Sequence, residues 1–306
     1  EEDSTNSTTG NGQFLLTNEG IDCGSYTIDP PPHDYNYFLS QLHSVNQYFE
    51  NVSYGKFGID LAQSSIYPSS LNGNYQLSNT MDFYNPYDDP LGQEEKLTKL
   101  FKDAIEQSYN EDTIEFSKYD LVVVIHAGIG QDFSLPFLDP TPEDIPSTYV
   151  DENMIQEHLG ESHIFVGDNA IQKGIILPET QNHLLYDISE TMFSDADNPC
   201  EYQYGITGTF SLMIGFAIGL PPLWNIQTGE SGVGVFGLMD QGSNNGRGII
   251  PAPPTAWSRI YAGWENYVIG ELGSEYHIPL RSENSIIKVP IREDEYYLIE
   301  SRSNWD

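Results

Sequence analysis

The longest part of the sequence without a charged side chain is Tyr202–Gly229. In a chain with 46 Asp and Glu residues, so long a neutral run is expected to be buried, either in a protein core or in lipid. Within it, Leu212, Phe216 and Gly219 recur at i, i+4 and i+7, a spacing that places them on one face of a helix. The pattern therefore predicts a buried central helix over about Thr207–Gly219.

Two other stretches also show the spacing of an amphipathic helix. Apolar residues recur at i, i+4, i+7 and i+11 within Tyr35–Glu50, and Asp34 precedes this helix as a candidate cap. The stretch Glu94–Tyr109 has one apolar face and acidic residues in its first turn, which also favours a helix.

Several shorter stretches predict strands. The continuous β-branched run within Tyr119–Gly128 is typical of a fully buried central strand. A hairpin is predicted between Ile164–Val166 and Gly174–Leu177, and a further strand passes through Ile59 and Leu61. Near the end of the chain, alternation predicts strands at Ile286–Ile291 and Tyr296–Glu300. Together these elements predict an α/β fold.

The charge balance narrows the classes of partner. The 306 residues include 12 Lys and Arg against 46 Asp and Glu, a net charge of −34. Such a surface repels nucleic acid and anionic lipid, so neither is expected as a partner. The charge suits an extracellular, cation-rich setting, although it equally serves plain solubility.

The neutral run is long enough to raise the question of a transmembrane helix. It contains Thr207, Thr209 and Ser211 as well as Pro221 and Pro222, and no Lys or Arg flanks it. A buried core helix is therefore predicted, and no membrane span.

The two cysteines, Cys23 and Cys200, leave two alternatives open: one long-range disulfide of a secreted protein, or two buried free thiols. No signal-peptide pattern is present at Glu1, so any targeting segment is expected to have been removed or to lie outside the sequence.

The central helix also carries a resemblance. Zinc peptidases place H-E-x-x-H on a buried helix, where two His one turn apart hold the metal and the Glu activates its water. The stretch is similar to the active-site helix of the immune-inhibitor-A-type secreted metallopeptidases, whose pattern is roughly H-E-x-G-H-x-x-G-L-P-D-x-Y-D. The residues on its matching scaffold positions are Gly215, Gly219, Leu220 and Pro221.

The chemical positions of that pattern are replaced. Leu212 and Phe216 stand where the two His belong, Met213 where the Glu belongs, and Pro222 where the following Asp belongs. Leu and Phe offer no lone pair to a metal, and Met cannot take a proton from water. The resemblance thus implies a degenerate member without zinc, in which the catalytic positions are vacated.

Other segments resemble the same family in the same order. They are Asp29–Asp34 (DPPPHD), Val52–Lys56 (VSYGK), His126–Gly128 (HAG), Gly232–Gly246, and Pro254–Trp264, which ends in Gly-Trp. Met239 falls where the family carries the methionine beneath its zinc. The resemblance implies a zincin-like fold with a twisted mixed sheet, in a single domain over 29–306 that belongs to a longer parent chain. Residues 1–28 are predicted as a flexible leader and a strand that leads into the domain.

Candidate chemistry outside the helix is sparse. His126 at a strand end and His163, which has Glu161 and His158 nearby in sequence, could serve a non-standard hydrolytic centre; structural or solvated histidines are the simpler interpretation.

Asp195, Asp197 and Asn198 place three oxygen side chains close together in a loop, the ligand type that calcium prefers. A solvated acidic turn that caps the next helix is the alternative. Trp224, Trp257 and Trp264 are predicted to flank the former cleft, either packed in the core or exposed to a peptide or glycan.

These observations predict a catalytically inactive secreted or cell-surface module. Its role would be binding or structural in an extracellular assembly, with a protein or glycan partner or self-assembly, and with calcium rather than zinc as the candidate metal. The alternative is an active hydrolase or peptidase with a non-standard centre in the same cleft.

Overall fold

The computed structural model describes residues 7–89, 91–132, 139–188, 192–280 and 283–302. The α-helices in these ranges are α1 (Tyr35–Val52), α2 (Met81–Tyr84), α3 (Gln93–Asp112), α4 (Glu152–Leu159), α5 (Thr207–Ala217) and α6 (Ala256–Tyr261). The strands are β1 (Val122–Ile129), β2 (Thr148–Val150), β3 (Ile164–Val166), β4 (Asn169–Ile171), β5 (Gly174–Thr180), β6 (Tyr267–Ile269), β7 (Ile286–Arg292) and β8 (Glu295–Ile299). The α/β class is confirmed. The predicted buried helix is α5, called the central helix below.

The sheet beside the central helix has the order β1-β5-β2. The pair β1 and β5 is parallel, whereas β2 and β5 are antiparallel, so the sheet is mixed as predicted. All seven residues of β5 are buried, and β5 is the strand that pairs on both sides. The prediction that Tyr119–Gly128 forms a fully buried central strand was therefore wrong. Among the described strands β1 pairs only with β5, and six of its eight residues are half-buried. An apolar run carries no information about which strands lie beside it.

The predicted hairpin between Ile164–Val166 and Gly174–Leu177 was also wrong. β3 pairs with β4 across a turn at Gly167 and Asp168, while β5 joins the other sheet. Gly167 has φ +54, a conformation that suits glycine in such a turn. The two C-terminal strands are confirmed as β7 and β8, with β6 added on the far side of β7.

The first predicted helix is confirmed, with its cap. The carboxylate of Asp34 accepts hydrogen bonds from the backbone N–H of Asn36 (2.8 Å) and Tyr37 (3.1 Å). The strand predicted through Ile59 and Leu61 does not form. Instead, the backbone N–H of Ile59 donates to the side-chain oxygen of Asn46 (2.6 Å), which ties this segment to α1.

Two apolar cores lie on opposite faces of β5. Ile176 belongs to the core formed with α3 and α4, in company with Phe101 and Ile155. Its neighbours Ile175 and Leu177 belong to the core formed with α1 and the central helix. Because successive side chains of a strand point to opposite faces, the sheet is a layer between helices on both sides.

Residues 7–28, predicted as a flexible leader and a leading strand, instead pack as irregular chain over the ends of the sheet. Thr9 is buried and donates through its backbone N–H to Asp144 (2.6 Å). The backbone N–H of Leu15 donates to Glu179 (2.9 Å) at the end of β5. Glu179 also accepts from the backbone N–H of Gly128 (2.7 Å), so one buried carboxylate joins three segments.

Cys23 and Cys200 form a disulfide across 177 residues of sequence. The structure thus contains the long-range disulfide rather than two buried free thiols. Closing a loop of this length is worth about 5 kcal/mol in the chain-entropy account. Disulfides persist in oxidising compartments, which is compatible with secretion. Among the described residues, no helix is both long enough and apolar enough to cross a membrane.

Candidate functional site at the central helix

Buried polar groups fix the start of the central helix. The backbone N–H of Ile206 donates to the carboxylate of Asp29 (2.9 Å), which also accepts from the side chains of Gln41 (2.9 Å) and Thr180 (3.2 Å). Burial raises the pKa of Asp29, and these hydrogen bonds partly offset that effect. One carboxylate therefore joins the central helix to α1 and to the end of β5.

Glycines allow the helix to lie against backbone. Gly208 donates through its N–H to the carbonyl of Gly248 (2.7 Å). A methyl group at Gly208 would overlap the carbonyl oxygen of Ser243. The glycine is thus explained by close approach of two backbones, as expected for an interior helical glycine whose propensity is poor.

The absence of a side chain at Gly215 likewise allows Met239 to pack against the helix. A Cβ at Gly215 would lie 2.5 Å from the Met239 sulfur, and Met239 is fully buried. The carbonyl of Met239 accepts from the backbone N–H of Leu223 (2.8 Å), which holds the methionine segment to the chain that follows the helix. The residue matched to the family's methionine therefore packs directly on the central helix.

The helix ends at Ala217, two residues before the predicted end, and a Schellman motif that includes Gly219 closes it. Gly219 has φ +89 and donates to Phe216 (2.9 Å), and Leu220 donates to Gly215 (2.9 Å). Only a residue without a Cβ adopts this left-handed conformation at little cost. The chain then leaves the helix at Pro221.

The four positions matched to the catalytic residues of the resembled family face apolar surroundings. Met213 is 8% exposed and belongs to the core shared with α1 and β5. Leu212 and Phe216 are half-buried and pack against the same core. Pro222 is also half-buried and follows the turn that ends the helix.

Phe216 is covered by two aromatic rings. It stacks on Tyr149 of β2 with ring centroids 6.3 Å apart, and the ring of Trp224 meets it edge-on at 5.7 Å. Burial raises the pKa of Tyr149, and the nearby charges of Asp151 and Glu152 add to the increase. The neutral phenol therefore adds to an aromatic face that runs from the edge strand to the loop after the helix. We call the half-buried residues Tyr149, Leu212, Phe216 and Trp224 the aromatic face.

The residues at this face do not fit zinc. Zinc in proteins is held by thiolate, imidazole and carboxylate groups, and none of the side chains at the three matched positions belongs to these classes. In the described residues no group of three or more His, Cys, Asp or Glu is arranged to hold a metal ion. We therefore derive no reaction step through a metal at this site.

Asp240, next to Met239, is a structural residue that sequence reasoning missed. Its Oδ2 accepts from Ser231 Oγ and from three consecutive backbone N–H groups, those of Gly232, Val233 and Gly234, at 2.8–2.9 Å. Burial would raise the pKa of Asp240, but these hydrogen bonds outweigh it and lower the pKa below its usual value. A single carboxylate thus shapes the loop between the central helix and Met239. The sequence feature that could have indicated this role is the preceding Gly-Val-Gly, whose backbone N–H groups need an acceptor.

The two histidines proposed for a non-standard centre, His126 and His163, contact different residues. His126 has both ring nitrogens at hydrogen-bond distance from backbone carbonyls, of Ala127 (2.8 Å) and Ile145 (3.1 Å). Burial lowers the pKa of His126, and the contacts with these two carbonyls offset part of that effect. His163 contacts Ser162 (2.9 Å) and Gln172 (2.6 Å) instead.

The carboxylate and imidazole near His163 in sequence have other partners. Glu161 pairs with Lys102 (2.9 Å), and His158 lies 3.5 Å from Glu94. His158, Glu161 and His163 are close in sequence, but each of them contacts a different partner.

The predicted calcium ligands Asp195, Asp197 and Asn198 are exposed. Asn198 donates to Glu201 (3.1 Å) and makes no capping bond to the short helix that follows, so the turn is solvated, as in the alternative, but does not cap that helix. Calcium binding stays a prediction: millimolar calcium should raise the unfolding temperature of the protein but not that of an Asp195→Asn/Asp197→Asn variant. An identical shift in both proteins would dismiss this loop as the site.

The three tryptophans have different environments. Trp224 belongs to the aromatic face through its contact with Phe216. Trp264 is 5% exposed and packs in the core against Phe49 and Phe57. Trp257 is exposed and stacks on Tyr261 in α6, with ring centroids 5.1 Å apart.

Comparison with known protein families, with characterised proteins and with solved structures found no match to this chain.

Proposed function

We propose that the chain is a catalytically inactive module of the zincin-like metallopeptidase fold, secreted or held at the cell surface, with a binding or structural role. The observation that carries this proposal is the environment of the vacated positions. Met213 is buried in the core and Phe216 lies against two aromatic rings, where a working enzyme would need a water-filled metal site.

Scaffold contacts support the same proposal. The resembled family carries a glycine in the helix and a methionine beneath its zinc, and here Met239, at the matched position, packs against Gly215. Gly219, the second matched glycine, lies just after the helix in a left-handed conformation. The proposal is thus a retained scaffold with a lost reaction.

Loss of the catalytic groups favours a stable packed domain. A buried cluster of metal ligands needs its metal to offset the cost of removing the ligands from water. Apolar side chains at Leu212, Met213 and Phe216 carry no such cost. Exposed parts of the aromatic face then remain available for a protein partner, and the disulfide suits an extracellular location.

The experiment is a protease assay on the purified protein. Casein and a mixed peptide library are incubated with the protein, with added zinc and with chelator. We expect no cleavage above that of a protein-free blank in any condition. Chelator-sensitive cleavage would favour the alternative, a hydrolase with a non-standard centre.

Assembly is tested separately by size-exclusion chromatography. With a net charge of −34, copies of the chain repel each other unless cations bridge them. An assembly that forms with calcium and disperses with chelator would support a structural role. A monomer in both conditions would favour binding of a different protein through the aromatic face.

A further inference from the structure

A second group of aromatic side chains lies between α6 and the β6-β7-β8 sheet. Trp257 and Tyr261, one turn apart on α6, stack with an interplanar angle of 16°. They line a cavity of about 200 Å³ together with side chains from all three strands of the sheet. No residue of the central helix lines this cavity.

The strand register places the sheet's contribution on one face. Lys288 of β7 is opposite Ile269 of β6 and Leu298 of β8. Tyr267 and Tyr296 lie two residues from these partners, and therefore on the same face as Lys288. Helix α6 lies against β8 and contributes Trp257, Ile260 and Tyr261 to the cavity wall.

Lys288 contacts aromatic rings rather than carboxylates. Its Nζ lies 4.9 Å from the ring centroid of Tyr267 and 4.0 Å from that of Tyr296. Lys102 pairs with Glu161, whereas Lys96 also lies over a ring, that of Phe83. Within the described part of the chain, Lys288 has neither a carboxylate partner nor a hydrogen bond, although the protein has 46 acidic residues. No described residue therefore occupies its N–H donors.

The hydroxyl groups of the tyrosines in the cavity also lack a hydrogen-bond partner among the described residues. Tyr261, Tyr267 and Tyr296 are 60%, 40% and 36% exposed, and their hydroxyl groups hydrogen bond to no residue in the described ranges. The cavity thus combines flat apolar ring faces with three hydroxyls and one cation, none of which hydrogen bonds to a described residue. This combination of stacking surface and free polar groups is what a sugar ring requires, since one sugar face is apolar and its edge carries hydroxyls.

We propose that this cavity binds one ring of an acidic saccharide, a hexuronic acid. The sugar ring stacks on the aromatic side chains, the tyrosine hydroxyls bond its hydroxyl groups, and its carboxylate pairs with Lys288. A volume of 200 Å³ is that of about seven water molecules, which suits a single ring. The site is separate from the aromatic face, so the inference does not depend on the proposed loss of catalysis.

The net charge of −34 opposes any anion at long range. At physiological ionic strength that repulsion is screened beyond about 8 Å, so the local contact with Lys288 decides the affinity. Raising the salt concentration removes both the long-range repulsion and part of this contact. The test is therefore made at constant, physiological ionic strength.

The experiment titrates the protein with D-glucuronate and with methyl glucoside, the neutral counterpart, and follows the protein by NMR and tryptophan fluorescence. We expect glucuronate to bind more tightly, by about tenfold, the value of a charged hydrogen bond. Lys288→Gln should remove this preference but retain weak binding of the neutral sugar. Tyr261→Ala should weaken both sugars.

Tyr297→Ala is the matched control, because Tyr297 is 66% exposed on the opposite face of the same sheet. It should leave both affinities unchanged, and thermal unfolding checks that every variant is folded. Lys288→Arg should keep the preference for glucuronate.

Four results would overturn the proposal. The first three are equal affinity of the parent protein for the two sugars, equal effects of Tyr261→Ala and Tyr297→Ala, and binding of N-acetylglutamate as tight as that of glucuronate. The last would assign the site to acidic peptides rather than saccharides. Absence of binding by all probes at tens of millimolar would also refute it.

Discussion

The buried environment of Met213 makes a sharp prediction for Met213→Glu, which places Glu where the resembled family carries its acidic residue. Met213 is 8% exposed and packs in the apolar core with α1 and β5. An ionised carboxylate there would be desolvated without a partner, so the Glu is expected to stay protonated in the folded protein.

The magnitude follows from the cost of that proton. A free Glu has a pKa of about 4.3, and each pH unit above it costs about 1.4 kcal/mol to keep the group neutral. At pH 7 the penalty reaches up to about 4 kcal/mol, and at pH 5 it falls to roughly 1 kcal/mol. The sign follows from a raised folded-state pKa: the variant loses stability as pH rises above the unfolded-state value.

The assay is urea unfolding of the parent, Met213→Glu and Met213→Gln at pH 5 and pH 7. Gln has nearly the same shape as Glu and does not titrate, so the difference between the two variants isolates the charge. We expect that difference to grow by about 3 kcal/mol between pH 5 and pH 7. Glu and Gln variants of equal stability at both pH values would refute the reasoning, because they would show an open, hydrated site.

The remaining predictions concern the scaffold. Loss of the Cys23–Cys200 disulfide, by reduction or by a double Ser variant, should lower the free energy of unfolding by up to about 5 kcal/mol, measured by urea unfolding; an unchanged midpoint would contradict the loop-entropy argument. Gly208→Ala should cost about 1–3 kcal/mol despite the better helix propensity of Ala, because its methyl group meets the backbone carbonyl of Ser243; a stabilised variant would contradict this packing. Burial raises the pKa of Asp144 to about 7, so its contribution to stability is full below pH 4 and is lost as pH rises towards 7. Asp144→Asn should therefore flatten the stability profile over this range, and an unaltered slope would count against it.

The sequence pattern correctly predicted the features that depend on residues close together in the chain. The central helix begins at Thr207 as expected, because an uncharged run with one periodic face has little alternative to burial. Asp34 caps α1 for an equally local reason, since its side chain needs only the N–H groups of the next turn. These features depend on residues close together in the sequence.

Features that depend on distant residues were missed or left open. Which strand of the sheet is central follows from the pairing of β5 with both β1 and β2, and no single run encodes that choice. The stack of Tyr149 on Phe216 joins an edge strand to a helix that is far away in sequence. The disulfide likewise became definite only when folding brought Cys23 beside Cys200.

The cavity at α6 shows the same limit. Trp257 was recognised as a candidate for ligand binding, but its partners come from three strands that the sequence does not order. Lys288 carried no signal at all in the sequence. Its interest arises only from its place between two tyrosine rings and the absence of a carboxylate partner in the described residues.

The most direct test of the central claim, that the metal-binding positions have become an apolar part of the core, is the zinc content of the purified protein. The protein is produced in zinc-supplemented medium, dialysed, and analysed for metal per chain by mass spectrometry. The account predicts no stoichiometric zinc, and no change in zinc content for Leu212→Ala. One zinc ion per chain, lost on substitution of His126 or His163 by Ala, would contradict it.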